Sequence, residues 1–206
     1  MPIANYVQSK YKCVVVFHPT DEFGISCAEI FNKSVSGTTK CVSIPYGMKD
    51  SDVRPLVRKA MDVSPEAVFV IGYGTTYINI FKGLKEHGFR GEVLAEYGVT
   101  NPDVIQALDK LFAEITFSGF DIDKVRPDTE DACRFVERVK RYGSTPYIGI
   151  VLMYSSLDLA KRLEMEGAAS QDSVANYGEW NAFGVRSFLS KKGDSSYPLF
   201  VIKHDR

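Results

Sequence analysis

The sequence predicts an α/β fold: an open, mostly parallel sheet with helices on both faces, followed by C-terminal helices and a returning strand. Three observations lead there. Short β-branched runs alternate with stretches of helical periodicity five times before Pro127, the pattern of strands joined by crossover helices. One run, residues 67–71 (AVFVI), is apolar throughout, as a strand covered on both faces requires. Past Pro127 the alternation stops and helical patterns take over.

Taken in order, residues 12–17 (KCVVVF) form the first predicted strand, closed by His18-Pro19-Thr20-Asp21. Phe23-Gly24 then open a helix in which Ile25, Ala28, Ile30 and Phe31 recur at helical spacing. Residues 40–44 are the second strand, and Ser51-Asp52 are placed to cap a helix through Met61 with Val53, Leu56, Val57 and Ala60 inward. The third strand, 67–71, leads to a helix over 75–87 that turns Tyr77, Ile80, Phe81 and Leu84 to one side and stops at Gly88. Residues 92–95 are the fourth strand, Asn101 and Pro102 cap and open the fourth helix, and 115–118 are the fifth strand.

Residues 128–142 read as an amphipathic helix with Phe135, Val136 and Val139 inward, ending at Gly143. A long helix over 147–166 begins with the uncharged run YIGIVLMY, which needs cover on every side. A short helix near 173–177, a loop holding Trp180, a strand near 185–189, a turn at Lys192-Gly193-Asp194 and a last strand at 199–203 complete the chain.

The 25 basic residues nearly match the 26 acidic ones, for a net charge of −1, so no electrostatic footprint for nucleic acid or an anionic membrane is present and neither partner is expected. No apolar run approaches the ~18–20 residues of a membrane span. The first dozen residues lack the charged-then-apolar order of a secretory leader. Cys13, Cys27, Cys41 and Cys133 show no C-x-x-C spacing and read as buried thiols. Cys13 and Cys41 fall in runs that read as neighbouring strands, which leaves a bridge between them open.

Catalytic and cofactor motifs are sparse. Gly72-Tyr73-Gly74-Thr75-Thr76-Tyr77 follows the third strand, but a dinucleotide loop needs a small residue where Tyr77 stands, so a tight turn accounts for these glycines. His18, His87 and His204 lie in separate segments with no metal-ligand spacing. No G-x-S-x-G elbow occurs. Asp21, Glu22, Glu96, Asp121 and Asp123 fall in loops after strands, where an acid–base pair could assemble, although loops are acidic for ordinary reasons of solvation. The chain therefore reads as a non-enzyme, without metal or cofactor. In open parallel sheets ligands sit at the carboxyl ends of the strands. Here those loops, 18–24, 72–76, 96–99 and 119–123, offer aromatic and small polar residues: Phe23, Tyr73, Thr75, Thr76, Tyr97 and, at the strand end, Ser118. Such a set suits a small amphipathic molecule.

The runs YKCVVVFHPTDEFG and PEAVFVIGYGTTYINIFKGLKEHGFRGEVLAEYGVTNP, with the tail AFGVRSFLSKKGDSSYPLFVIK, resemble the second half of the type I periplasmic binding proteins. These are substrate-binding subunits of ABC importers for branched-chain amino acids and related ligands, the Leu/Ile/Val-binding-protein-like group. The resemblance implies one lobe of a two-lobed fold: an α/β domain over 1–143, a segment over 144–195 that returns to the first lobe, and a terminal strand over 196–206 back in the α/β lobe. It implies a non-catalytic receptor outside the cytoplasm, an amino acid or small carboxylate as ligand, and a transporter permease as partner. The ligand residues it implies are Phe23 and Gly24 in the D-E-F-G loop, Tyr73 and Thr75 after the third strand, Glu96 and Tyr97 after the fourth, and Ser118. Tyr97 stands where amino-acid receptors often carry an acid for the α-ammonium, and Glu96 is adjacent. In the family the apolar start of the long helix is covered by first-lobe structure, so residues 145–190 are expected to pack against a second copy or a separately encoded lobe. A ligand-sensing or protein-interaction domain without a transport role is the alternative.

Overall fold

A computed structural model of the chain describes residues 2–119, 127, 129–144, 148–168, 170, 172–173, 177–183, 185–189, 195–196 and 200–205. They divide into two units, Met1–Gly119 with Phe200–Arg206, and Phe120–Leu199. The break falls at Gly119 and not at the expected 143, because the helix before Gly143 packs its Phe135 and Val136 on the core of the second unit.

In the first unit the order along the chain is α1 (Pro2–Lys10), β1 (Cys13–Pro19), α2 (Glu22–Val35), β2 (Lys40–Tyr46), α3 (Arg54–Met61), β3 (Ala67–Val70), α4 (Gly74–Glu86), β4 (Glu92–Ala95), α5 (Pro102–Asp109), β5 (Glu114–Gly119) and β9 (Phe200–Asp205). The sheet runs β2-β1-β3-β4-β5-β9, with the first five strands parallel and β9 antiparallel to β5. This is the predicted open α/β sheet with its returning strand. Alternation along β1 sets the two faces. Val15 and Phe17 join Val68, Val70 and Ile115 under Val57, Tyr77, Ile80, Phe81 and Leu84 of α3 and α4. Val14 and Val16 join Phe69 and Leu94 under Ile3, Val7, Ala28 and Phe31 of α1 and α2.

Several local readings shift. The inward face of α2 is Gly24, Ala28, Phe31 and Val35, while Ile25 and Ile30 point to solvent. α3 starts at Arg54 with Val53 in the cap position and no cap from the Val53 side chain; the Asp52 carboxylate accepts from the Arg54 amide at 3.0 Å and forms a fork with the Arg54 guanidinium, both bonds 2.8 Å. Asn101 caps α5 as expected, accepting from the Asp103 amide at 3.1 Å. α1 escaped the sequence reading because its apolar stripe is three residues, Ile3, Ala4 and Val7. Polar bonds hold it to the sheet. Tyr6 Oη donates to Glu92 Oε1 at 2.6 Å, Tyr11 Oη donates to Oε2, and Thr116 Oγ1 on β5 also donates to Oε1.

The second unit contains α6 (Glu130–Arg141), α7 (Ile148–Met165) and an antiparallel sheet of β6 (Glu179–Ala182), β7 (Val185–Leu189) and β8 (Ser195–Ser196). Ala132, Val151, Leu159, Leu163, Trp180 and Phe183 form its core. Trp180, expected in a loop, is on β6, where pairing with Ser187 turns it inward. Met153, Leu157 and Met165 on α7 are each more than 60% exposed. The Lys192-Gly193-Asp194 turn, the first residue of the long predicted helix, and Asp121 and Asp123 lie outside the described residues, as does part of the short helix near 173–177.

All four cysteines are free thiols; Cys13, Cys27 and Cys41 are half-buried and Cys133 on α6 is exposed. Cys13 lies on the same side of β1 as Val15, while Cys41 packs with the Val14 face, so the two thiols sit on opposite faces of the sheet and no bridge forms.

Because Glu92 accepts from three hydroxyls, on α1, on the link to β1 and on β5, Glu92→Ala should lower unfolding free energy by about 2 kcal/mol, as loss of bonds to a charged group does. Urea denaturation followed by circular dichroism measures it.

Candidate functional site

Chain connectivity places the site. From β1 the chain crosses to β2 on one side, then returns to β3 on the other, so the loops after β1 and β3 diverge and leave a crevice at the carboxyl ends of the strands. The loop after β1 is held by Asp21, whose Oδ1 accepts from the Gly24 amide at 2.8 Å as the N-cap of α2. The start of α2 is tucked against Pro19: a Cβ at Gly24 would stand 2.3 Å from the Pro19 carbonyl oxygen. Gly24 thus fits the loop by its lack of a side chain.

The loop after β3 turns at Gly72, whose φ of +140° suits glycine and whose Cβ, if present, would stand 1.8 Å from Tyr46 Oη. That hydroxyl donates to the Ile71 carbonyl at 2.8 Å. Tyr73 follows, about half exposed, and its hydroxyl donates to Asp21 Oδ2. The bond ties the two diverging loops together across the crevice and holds the Asp21 carboxyl below its ordinary range. Phe23 and Tyr73 face each other with ring centroids 6.1 Å apart.

After β4 the chain makes a short 3-10 turn over Tyr97–Thr100, capped by Glu96, whose Oε2 accepts from the Gly98 amide at 2.7 Å. Glu96 is only 6% exposed, and its Oε1 has no hydrogen-bond partner among the described residues. Burial raises its carboxyl to about 7, against the opposing pull of the Gly98 and Gly72 amides. Tyr97 is partly exposed, and its Cβ lies 3.7 Å from the Cβ position at Gly119 on β5. The Tyr97 phenol is itself raised, first by burial and then by Glu96.

Of the sequence-predicted residues, the structure brings Phe23, Gly24 and Tyr73 into one contact group and places Glu96 and Tyr97 on the adjoining turn. Thr75 is exposed on the first turn of α4, and Ser118 is buried within β5. Two features were missed. Asp21 acts as the brace between loops, one oxygen on the Gly24 amide and the other on the Tyr73 hydroxyl. Tyr77 Oη, fully buried beneath the turn and without a hydrogen-bond partner among the described residues, adds a second unsatisfied polar atom in the region. Among the described residues no cluster of histidine, cysteine or carboxylate could hold a metal ion, and no helix is long and apolar enough to cross a membrane.

The family model described as periplasmic binding protein matches residues 1–182. The chain belongs to that family. Among solved structures it is similar to an extracellular ligand-binding receptor from Rhodopseudomonas palustris, at 19% identity and a TM-score of 0.84 over 98% of this chain and 63% of that one. A solute binding protein of an ABC transporter from the same species, in complex with 3,4-dihydroxybenzoic acid, matches at 18% identity and 0.77, over 97% of this chain and 58% of that one. The branched-chain amino acid transporter substrate binding protein LivJ from Streptococcus pneumoniae, in complex with isoleucine, matches at 18% and 0.69, over 98% and 64%. The chain therefore spans about three fifths of the length of the structures it matches. Comparison with curated proteins finds no match.

Glu96 makes stability depend on pH. Its folded value of about 7 lies above the ordinary 4.5, so the contribution is fully present below about pH 4.5 and is lost as pH rises through about 7. At about pH 8, Glu96→Gln should exceed the parent chain in stability by on the order of 3 kcal/mol and show a flatter profile between pH 4.5 and 7. Urea midpoints across that range test this.

Proposed function

We propose that this chain supplies the second lobe of a solute-binding receptor of an ABC importer, and that it holds an amino acid, an aromatic acid or another small carboxylate at the carboxyl ends of its strands without catalysing a reaction. The observation that carries the reading is the shelf formed where the loops after β1, β3 and β4 meet: Phe23 and Tyr73 as an aromatic wall, Tyr97 on the adjoining turn, and Glu96 below it. Aromatic walls with few polar groups suit small amphipathic ligands. Family membership and the ligands named for two of the similar structures, isoleucine and 3,4-dihydroxybenzoic acid, support the ligand class. By the same support the receptor works outside the cytoplasm, partnered by a transporter permease, and the segment over 144–195 belongs with a first lobe.

A thermal-shift scan tests this. At about 10 mM, ten times a millimolar Kd, a bound ligand adds about 1.4 kcal/mol, a rise in Tm of about 3–6 °C. The expected result is a shift confined to one chemical class and lost in Phe23→Ala and Tyr73→Ala.

A second reading is favoured by the second unit. Met153, Leu157 and Met165 are exposed on α7, and a groove of about 630 Å³ runs between α6 and α7, lined by Phe135, Val139, Tyr142, Tyr154 and Leu157 among charged residues. Such a surface marks an interface. On this reading residues 145–190 pack against a second copy or a separately encoded lobe, and the chain acts as an interaction or sensing domain. Native mass decides: a dimer that ignores every ligand favours it, and a monomer at high concentration overturns the packing.

A further inference from the structure

The hydroxyl of Tyr73 carries one proton, and that proton is spent. It goes to Asp21 Oδ2, in the one hydrogen bond this side chain makes among the described residues, while Asp21 Oδ1 accepts from the Gly24 amide at 2.8 Å. Tyr73 stands between Gly72 and Gly74, whose φ of +140° and +76° lie in the region that favours glycine, and it takes the N-cap position of α4 without capping that helix. Its ring is about half exposed. Its orientation comes from across the crevice, from the Asp21 carboxylate at the hydroxyl and from Phe23, whose ring centroid is 6.1 Å away.

A phenol in this state offers a ligand its ring face and its oxygen lone pairs, and has no proton left to give. The carboxylate behind it polarises the O–H bond and makes the oxygen a better acceptor. Resting on the receptor reading above, we propose that Asp21 is a specificity-determining positioning residue: by taking the Tyr73 proton it makes that oxygen an acceptor, so the shelf takes a ligand hydroxyl there and turns a ligand carboxylate away. A carboxylate at that place would find no donor on Tyr73, and the exposed Asp21 charge adds a small repulsion. The carboxyl group of an acidic ligand therefore lies away from Tyr73, and an aromatic acid with a hydroxyl at its far end suits the wall of two rings.

Asp21→Asn reverses the hydrogen-bond polarity with almost no change of shape. The amide oxygen keeps the cap on Gly24, since Asn caps helices about as well as Asp, while the NH2 group donates to Tyr73 and frees the phenolic proton for a ligand. The probes are 4-hydroxybenzoate and terephthalate, which share a benzoate and carry a hydroxyl or a second carboxylate opposite it. At about pH 7 the phenol keeps its proton and the carboxyls are ionised. NMR titration of the chain with each should give tighter binding of 4-hydroxybenzoate by about tenfold, the scale of one hydrogen bond made against one refused. Asp21→Asn should cancel or reverse that ratio, and Tyr73→Phe should remove most of it. In the Tyr73→Phe background Asp21→Asn should move the ratio by less than about twofold, the part owed to exposed charge alone. A ratio of two probes on one variant is unaffected by any loss of folded protein.

A ratio near or below one in the parent chain, or an equal swing of the ratio with Asp21→Asn in both backgrounds, overturns the role given to Asp21 and leaves the receptor reading intact. Binding of neither probe, with a thermal shift for another class of ligand, overturns the hydroxyl assignment alone. No binding of any ligand overturns both.

Discussion

Burial of β1 on both faces is the constraint from which the rest of the first unit follows. Four successive residues, Val14, Val15, Val16 and Phe17, have no exposed surface, which a parallel strand achieves only with a layer of helices above and below. α1 and α2 supply one layer, and α3, α4 and α5 the other. With β1 central, β2 and β3 must take its opposite edges, and the loops leaving β1 and β3 part company at the carboxyl end. The crevice is thus a result of covering the sheet twice, and the Asp21–Tyr73 bond spans the opening that results.

The chemistry at that end is unusual for what surrounds the acid. Exposed carboxylates such as Asp52 and Asp131 have arginine partners in the structure and sit below their ordinary range. Glu96 is the reverse: buried, served by the Gly98 and Gly72 amides, and felt by the phenols of Tyr46, Tyr77 and Tyr97. Ion pairs at the surface contribute little. A carboxyl this deeply buried costs stability when it ionises, and proteins tolerate such costs mainly where a site is kept ready for something else.

Much of this was legible from local pattern. The strand-helix alternation, the all-apolar AVFVI run, the inward set Tyr77, Ile80, Phe81 and Leu84, and the Asn101-Pro102 start each depend on neighbours in sequence, and each stands as read. Readings that depended on long-range partners did not survive. α1 rests on hydroxyl bonds to Glu92, more than eighty residues away for Tyr6 and Tyr11, which no periodicity announces. Asp52 holds the Arg54 amide at the helix start and the Arg54 guanidinium together, and the second of these bonds is one that spacing does not announce. At the site, residue types were visible but their roles were not: Asp21 became a brace and Glu96 went under the turn. The glycine at 98 was the signal available, since a residue without a side chain beside an acid allows the acid to fold inward.

The cysteines divide the molecule chemically. Cys27 and Cys41 are held up by burial, so little thiolate forms at either at neutral pH, whereas Cys133 stands in solvent on α6. A maleimide dye therefore reaches the second unit first and leaves the ligand-side thiol near Glu96 unlabelled. Trp180 lies in that same unit and is the chain's one tryptophan. Nature has thus placed an emitter and an attachment point together, so energy transfer between them reads the folding of the second unit separately from events at the crevice.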